Sequence, residues 1–120
     1  MSFPHINFKF TNTSTHESLR DLIEQKLHSL DKYFGESTVL CDVEFEKMTA
    51  QQHGDIFRVE TNLTVDGKLY RADASMENFE KAIDEVRDEL DKELRRASGK
   101  RETLFKRGGR KIKEMLRFGQ

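Results

Sequence analysis

The sequence predicts an α+β fold in the order β-α-β-β-β-α: a four-stranded mixed sheet with two helices packed on one face, plus a basic C-terminal tail. Three observations predict it. Four segments alternate apolar and polar residues, the period of a half-buried strand. Two longer segments repeat apolar residues at helical spacing. An Asp66-Gly67 pair sits between two of the alternating segments, the strongest short signal for a two-residue hairpin.

Ile6, Phe8 and Phe10 alternate with Asn7 and Lys9 and give the first strand. Ser14 followed by Glu17 has the spacing of a capping box, so a helix is expected to begin there. Leu19, Leu22, Ile23, Leu27, Leu30 and Phe34 form its apolar stripe, and Gly35 supplies a stop. Val39, Cys41, Val43 and Phe45 alternate with Leu40, Asp42, Glu44 and Glu46 in a second strand. Met48 to Asp55 reads as a loop.

Phe57, Val59, Thr61, Leu63 and Val65 then alternate with Arg58, Glu60, Asn62 and Thr64. A two-residue turn at Asp66-Gly67 pairs Val65 with Lys68 and Leu63 with Tyr70. That register puts Tyr70, Ala72 and Ala74 on the face of Phe57, Val59 and Leu63. Asn78 is an N-cap for a second helix with the stripe Phe79, Ala82, Ile83, Val86, Leu90 and Leu94, and Gly99 is expected to end or loosen it. Each strand has one apolar and one polar face, so both helices share one side of the sheet. A helical connection between the first two strands implies a parallel pair with a right-handed crossover. The bare face then shows Asp42, Glu44, Glu46, Glu60 and Asp73, a poor surface for nucleic acid. The expected division is a body over residues 1–98 and a tail over 99–120, where Gly108-Gly109 argues for flexibility.

The formal net charge of −1 hides an asymmetry. Residues 1–94 carry 11 Lys+Arg and 20 Asp+Glu, whereas residues 95–120 carry 10 Lys+Arg and 2 acids. An acidic body with a basic end points at a polyanion. The bases that suit phosphate contact are Arg20, Lys26, Lys47, Lys81, Lys92, Arg95, Arg96, Lys100, Arg101, Lys106, Arg107, Arg110, Lys111 and Lys113. Lys81, Lys92, Arg95 and Arg96 share one helix stripe. The bland alternative for these helix bases is a solvated face with Glu-Lys pairs. Phe105 and Phe118, set among bases, suit either stacking on unpaired RNA bases or docking on protein.

Other chemistries find little support. His5, His16, His28 and His53 are scattered rather than clustered as metal ligands are, so no metal or other cofactor is expected. Cys41 alternates inward and reads as a structural thiol. No phosphate-cradling glycine loop or framed acid pair suggests an enzyme or a small-molecule substrate. The N-terminus lacks a signal-peptide pattern and no apolar run is long enough to span a membrane, so a cytoplasmic protein without membrane association is expected.

Several stretches resemble the ribosome hibernation-promoting factor and protein Y family of bacteria over residues 6 to about 101. Glu17-Ser18-Leu19-Arg20, Lys26-Leu27 and Leu30-Asp31-Lys32-Tyr33-Phe34 are similar to the family's first helix. Glu46-Lys47 sits where its second strand ends. Ala72-Asp73-Ala74, Asn78-Phe79 and Ala82-Ile83-Asp84 resemble its strand-to-helix junction, and Leu90, Lys92, Leu94, Arg95 and Arg96 fall on its basic helix end. The chain departs from the family at Glu80, where a Tyr is frequent, and at Ser29 and Glu89, where lysines are common. The acids Glu85, Asp88, Glu89, Asp91 and Glu93 also make the second helix acidic, which shifts the expected RNA contact towards Arg95 to Lys113.

The resemblance implies a fold similar to a double-stranded-RNA-binding domain. It also implies a non-enzymatic inhibitor of translation, monomeric when free. Its partner would be the small ribosomal subunit and its ribosomal RNA, in the channel for messenger and transfer RNA, during stationary phase or stress. The alternative from the residues alone is a protein-interaction module whose basic tail docks an acidic protein partner.

Overall fold

Residues 5–14, 16–49 and 54–106 are described by a computed structural model, with side chains to residue 99. The chain forms β1 (Ile6–Thr11), α1 (Glu17–His28), a 3-10 turn (Asp31–Tyr33), β2 (Val39–Lys47), β3 (Phe57–Val65), β4 (Lys68–Met76) and α2 (Phe79–Lys106). The strands lie in the order β1-β2-β3-β4. The first pair is parallel, with Ile6 opposite Cys41, and the other two are antiparallel. This is the predicted β-α-β-β-β-α fold with a mixed four-stranded sheet.

The β3–β4 register follows the turn chemistry. Val65 faces Lys68 and Leu63 faces Tyr70. Asp66 and Gly67 both have positive φ, 50° and 86°, as a type I′ turn requires. Asp66 also ties the turn to β2: its carboxylate accepts from the Thr38 N–H at 2.8 Å, and its own N–H donates to the Thr38 carbonyl.

Both helices cover the same face. Leu19, Ile23 and Leu27 of α1 and Ala82, Ile83, Val86, Leu90 and Leu94 of α2 are buried against Cys41, Val43, Phe45, Val59, Leu63 and Tyr70. An aromatic group anchors the start of α2. Phe79 meets Phe45 edge-on at 5.4 Å and Phe57 at 5.0 Å, while Phe10 stacks on Phe45 at 5.0 Å. Asn78 caps the helix as expected, its side-chain oxygen accepting from the Lys81 N–H at 2.8 Å.

Three boundary expectations are corrected. The first helix begins at Glu17 with His16 as N-cap, and no side chain caps it. β1 runs to Thr11 and Asn12 turns with φ 58°. The chain must then cross roughly 10 Å from the sheet to the helix layer, a distance worth about three residues, which takes Ser14 out of the cap position. The same helix closes at His28. Leu30 and Phe34 reach the core from the tighter 3-10 turn before Gly35 reverses the chain with φ 54°. Gly99, finally, does not end α2. It has no positive φ and nothing crowds it, and the helix runs on to Lys106 across the expected body–tail boundary. One glycine costs a helix only about 1 kcal/mol, and good helix formers surround it.

Candidate nucleic-acid interface

The sequence-selected bases fall into three groups. Arg20 and Lys47 lie at the β1 and β2 side, each over an aromatic ring. The Arg20 guanidinium sits 4.9 Å from the centre of Phe8, and the Lys47 ammonium 5.9 Å from that of Phe57. Their stems are fixed against apolar surface, which lowers the entropy cost of any contact they make.

The second group lies along α1 and α2. Lys26 crosses between the helices to Asp84 at 3.0 Å. Lys81 pairs with Glu77 one turn back at 2.9 Å, and Arg96 with Glu93 at 3.1 Å. These are exposed pairs, worth little to stability and easily exchanged for phosphate. Lys92 is exposed and forms no ion pair among the described residues. On the solvent face of α2 the first half carries Asp84, Glu85 and Asp88, and the bases gather in the second half.

Arg95 is held differently. The Tyr33 hydroxyl donates to one oxygen of Asp91 at 2.8 Å, and Arg95 donates to the other at 2.6 Å. Arg95, and after it Tyr33, holds the Asp91 carboxyl below the usual carboxylate range. The Asp91 side chain is mostly buried while that of Arg95 is 67 % exposed, so a fixed carboxylate aims a guanidinium at solvent. The third group, Lys100, Arg101 and Lys106, rides on the end of α2, where the helix dipole favours cations. Lys106 lies nine residues past Ala97, which packs on the core, so this end stands about 14 Å beyond it. Arg107, Arg110, Lys111 and Lys113 lie outside the described residues.

Sequence reasoning missed Arg87. Its Nε donates to Ser29 Oγ at 3.1 Å, and it lines the α1–α2 groove with Leu22, Gln25, Lys26, Asp84 and Asp88. The only hint was its place beside Val86 in the apolar stripe; the meeting with Ser29, 58 residues away, has no local signature. It also missed how the bare face is neutralised. Arg58 bonds Glu46, Glu60 and Asp73 at 3.3, 2.7 and 3.0 Å, and Arg71 reaches Glu60 at 3.0 Å. The Arg58 hydrogen bond holds the Glu60 carboxyl below its ordinary range. Among the described residues no cluster of His, Cys, Asp or Glu could hold a metal ion, and no helix is long and apolar enough to cross a membrane.

Two solved structures share this fold. One is the N-terminal domain of Thermus thermophilus protein Y, 23 % identical, covering 78 % of this chain and 98 % of its own, with a TM-score of 0.65. The other is a ribosomal subunit interface protein from Coxiella burnetii, 21 % identical, covering 80 % of this chain and 99 % of its own, with a TM-score of 0.67. No curated protein matches the chain. The family described as sigma 54 modulation protein / S30EA ribosomal protein matches residues 6–102, from the first residue of β1 into the basic end of α2. The resemblance to hibernation-promoting factors and protein Y thus rests on sequence and fold together, and the chain belongs to the sigma 54 modulation protein / S30EA ribosomal protein family.

Proposed function

We propose that this protein inhibits translation by occupying the RNA of the small ribosomal subunit, in the channel used by messenger and transfer RNA, during stationary phase or stress. The reading makes it a cytoplasmic monomer when free, working without a cofactor and without turnover. Residues 1–98 serve as the docking body and 99–120 as its basic extension. The observation that carries the reading is the end of α2. There Arg95, Arg96, Lys100, Arg101 and Lys106 extend past an acidic body on one helix, with a single acid, Glu102, between residue 95 and the helix end. Closely spaced cations on a rod suit a phosphate backbone and need no base readout. Family membership supports the ribosome as the source of that backbone, and the Coxiella burnetii relative is described as a ribosomal subunit interface protein.

Within this reading Arg95 and Lys92 make the first contacts from the body. Arg20, Lys26, Lys47, Lys81 and Arg96 exchange their ring or carboxylate partners for phosphate. Arg107, Arg110, Lys111 and Lys113 extend the track. A cell-free translation assay with titrated protein tests the mechanism. Inhibition is expected to saturate near one protein per ribosome, with matching co-sedimentation on small subunits. Complete inhibition far below that ratio would overturn occupancy and indicate a catalytic inhibitor.

A further inference from the structure

The bare face of the sheet has a feature that RNA binding does not use. The described residues include two large apolar side chains that are strongly exposed, Leu40 at 63 % and Leu69 at 57 %. Both lie on this face and in one cross-strand row, because Leu40 pairs with Thr64 and Thr64 with Leu69. Strands sit about 4.8 Å apart, so the leucines stand about 10 Å apart as walls of a notch floored by Thr64.

Acids adjoin the notch. Asp42 and Glu44 follow Leu40 on the same face of β2. Arg58 and Arg71 are taken up by Glu46, Glu60 and Asp73. Asp42 and Glu44 form no ion pair among the described residues: the Asn7 amide donates to Asp42 at 3.1 Å and the Thr11 hydroxyl to Glu44 at 2.6 Å, with Lys9 opposite Glu44 in the β1–β2 register. The patch is therefore apolar at one end and anionic next to it.

The chain contains a segment of matching chemistry. Residues 107–120, outside the described region, carry Arg107, Arg110, Lys111, Lys113 and Arg117 against one acid, Glu114, interleaved with Ile112, Met115, Leu116 and Phe118. The fold delivers this segment to the correct end of the sheet. α2 runs back along β4, so Glu93, Arg96 and Ala97 share a cleft with Lys68, Leu69, Tyr70 and Arg71. Returning from Lys106 to that cleft and rounding the β4 edge takes roughly 25–30 Å, by helix rise and layer spacing. Fourteen extended residues span about 46 Å at roughly 3.3 Å each, and Gly108-Gly109 permits the reversal.

We propose that segment 107–120 docks on the bare sheet face of its own chain, with Met115, Leu116 and Phe118 in the Leu40–Leu69 notch and Arg117, about 36 Å of extended chain from Lys106, on Asp42 and Glu44. Tethering supplies an effective concentration on the millimolar scale, so a contact too weak to form between molecules is occupied within one. One consequence rests on the RNA-binding reading above: a tail seated on the face is drawn back from phosphate, so a polyanion that takes the tail also uncovers the notch.

A paramagnetic label tests the docking without any ribosome. Cys41 is 1 % exposed and burial pushes its thiol up to about 12, so a Gly119→Cys variant of the full chain takes a nitroxide at the tail alone. In roughly 50 mM salt, where charges act over more than about 10 Å, the amides of Leu40, Asp42, Glu44, Thr64 and Leu69 are expected to lose more than half their intensity. Glu85 and Asp88, on the opposite side of the molecule, should keep theirs. Leu40→Ser with Leu69→Ser should restore the lost signals. Even broadening over the whole surface, or broadening confined to the helices, would overturn the proposal. Broadening that disappears when the labelled chain is diluted into unlabelled chain would also overturn it, by showing contact between copies. Failure here leaves the ribosome reading intact, since that is read by sedimentation and translation.

Discussion

At the scale of single residues, two side chains break the pattern of an apolar core, and in opposite ways. Thr61 lies inward between Val43 and Ala72, fully buried, and its hydroxyl has no hydrogen-bond partner among the described residues. An unpaired buried hydroxyl costs about 1–3 kcal/mol. Thr61→Val keeps the shape and removes the polar atom, so it is expected to raise stability by about 1 kcal/mol in urea unfolding. A loss of similar size would mean that the hydroxyl has an unseen partner. Asp91 is equally out of place in its burial, yet both its oxygens are bonded, to Tyr33 and Arg95. Its folded pKa lies below the unfolded value of about 3.9. The stability it adds is therefore complete above that value and is lost as pH falls through the folded one. Asp91→Asn should cost about 1–2 kcal/mol at pH 7, with the gap to the parent closing below about pH 4. Urea midpoints at pH 7 and pH 2.5 check this; an unchanged gap would separate the stabilisation from the ionised carboxylate. Alternation alone put Thr61 inward. Nothing local announced the Tyr33–Asp91 bond, which joins residues 58 apart.

At the scale of elements, what could be read depended on how local the determining physics is. Strand faces follow from period-two alternation, the parallel first pair from its helical connection and the hairpin register from the Asp66-Gly67 turn, and all appear as expected. Helix ends were less legible because they depend on the layer the chain must reach and on what lies beyond. Ser14 has the right spacing for a cap but sits in the crossing from sheet to helix. Gly99 looks like a stop, yet its neighbours carry the helix through it. The glycines provide a test. Gly67 has φ 86°, which a side chain strains, whereas Gly99 lies in an ordinary helical turn with no neighbour within 4 Å of an added Cβ. Gly67→Ala is expected to lower stability by about 1 kcal/mol or more. Gly99→Ala should instead favour the end of α2 by up to about 1 kcal/mol, seen as greater ellipticity at the helical wavelength without loss of melting temperature. Reduced helicity in Gly99→Ala would mean that the helix tolerates this position only as glycine.

At the scale of the whole molecule the governing fact is the separation of charge, which the sequence carries in full and which the fold turns into a direction. Residues 1–94 are net −9 and residues 95–120 net +8, so the body alone is repelled by RNA at long range and the end of α2 leads the approach. The bases of α2 were legible as a stripe, and Lys26 of α1 as a single base. Their pairing with Asp84, Glu77 and Glu93 was not, because it depends on which acids the packing brings near. The body's excess of acids opposes its own bases at long range, so the basic end should dominate the salt dependence of ribosome binding. Deleting residues 100–120 removes eight bases and two acids, and among the described residues the last that packs on the core is Ala97. If about six of those bases meet phosphate, the log–log slope of affinity against salt should fall by roughly 4–5, at about 0.7–0.9 per contact. The melting temperature should stay close to that of the full chain. Reversing charge at Lys106, Arg107, Arg110 and Lys111 should reproduce most of the change, while Phe105→Ala should leave the slope nearly unaltered whatever it does to affinity. The measurement is binding of full-length and truncated protein to purified small subunits between about 50 and 200 mM salt. If truncation changes neither affinity nor slope, the anchor lies on the body. Arg95, fixed by Asp91 and pointing to solvent, is then the first residue to substitute, followed by Lys92 and the ring-supported Arg20.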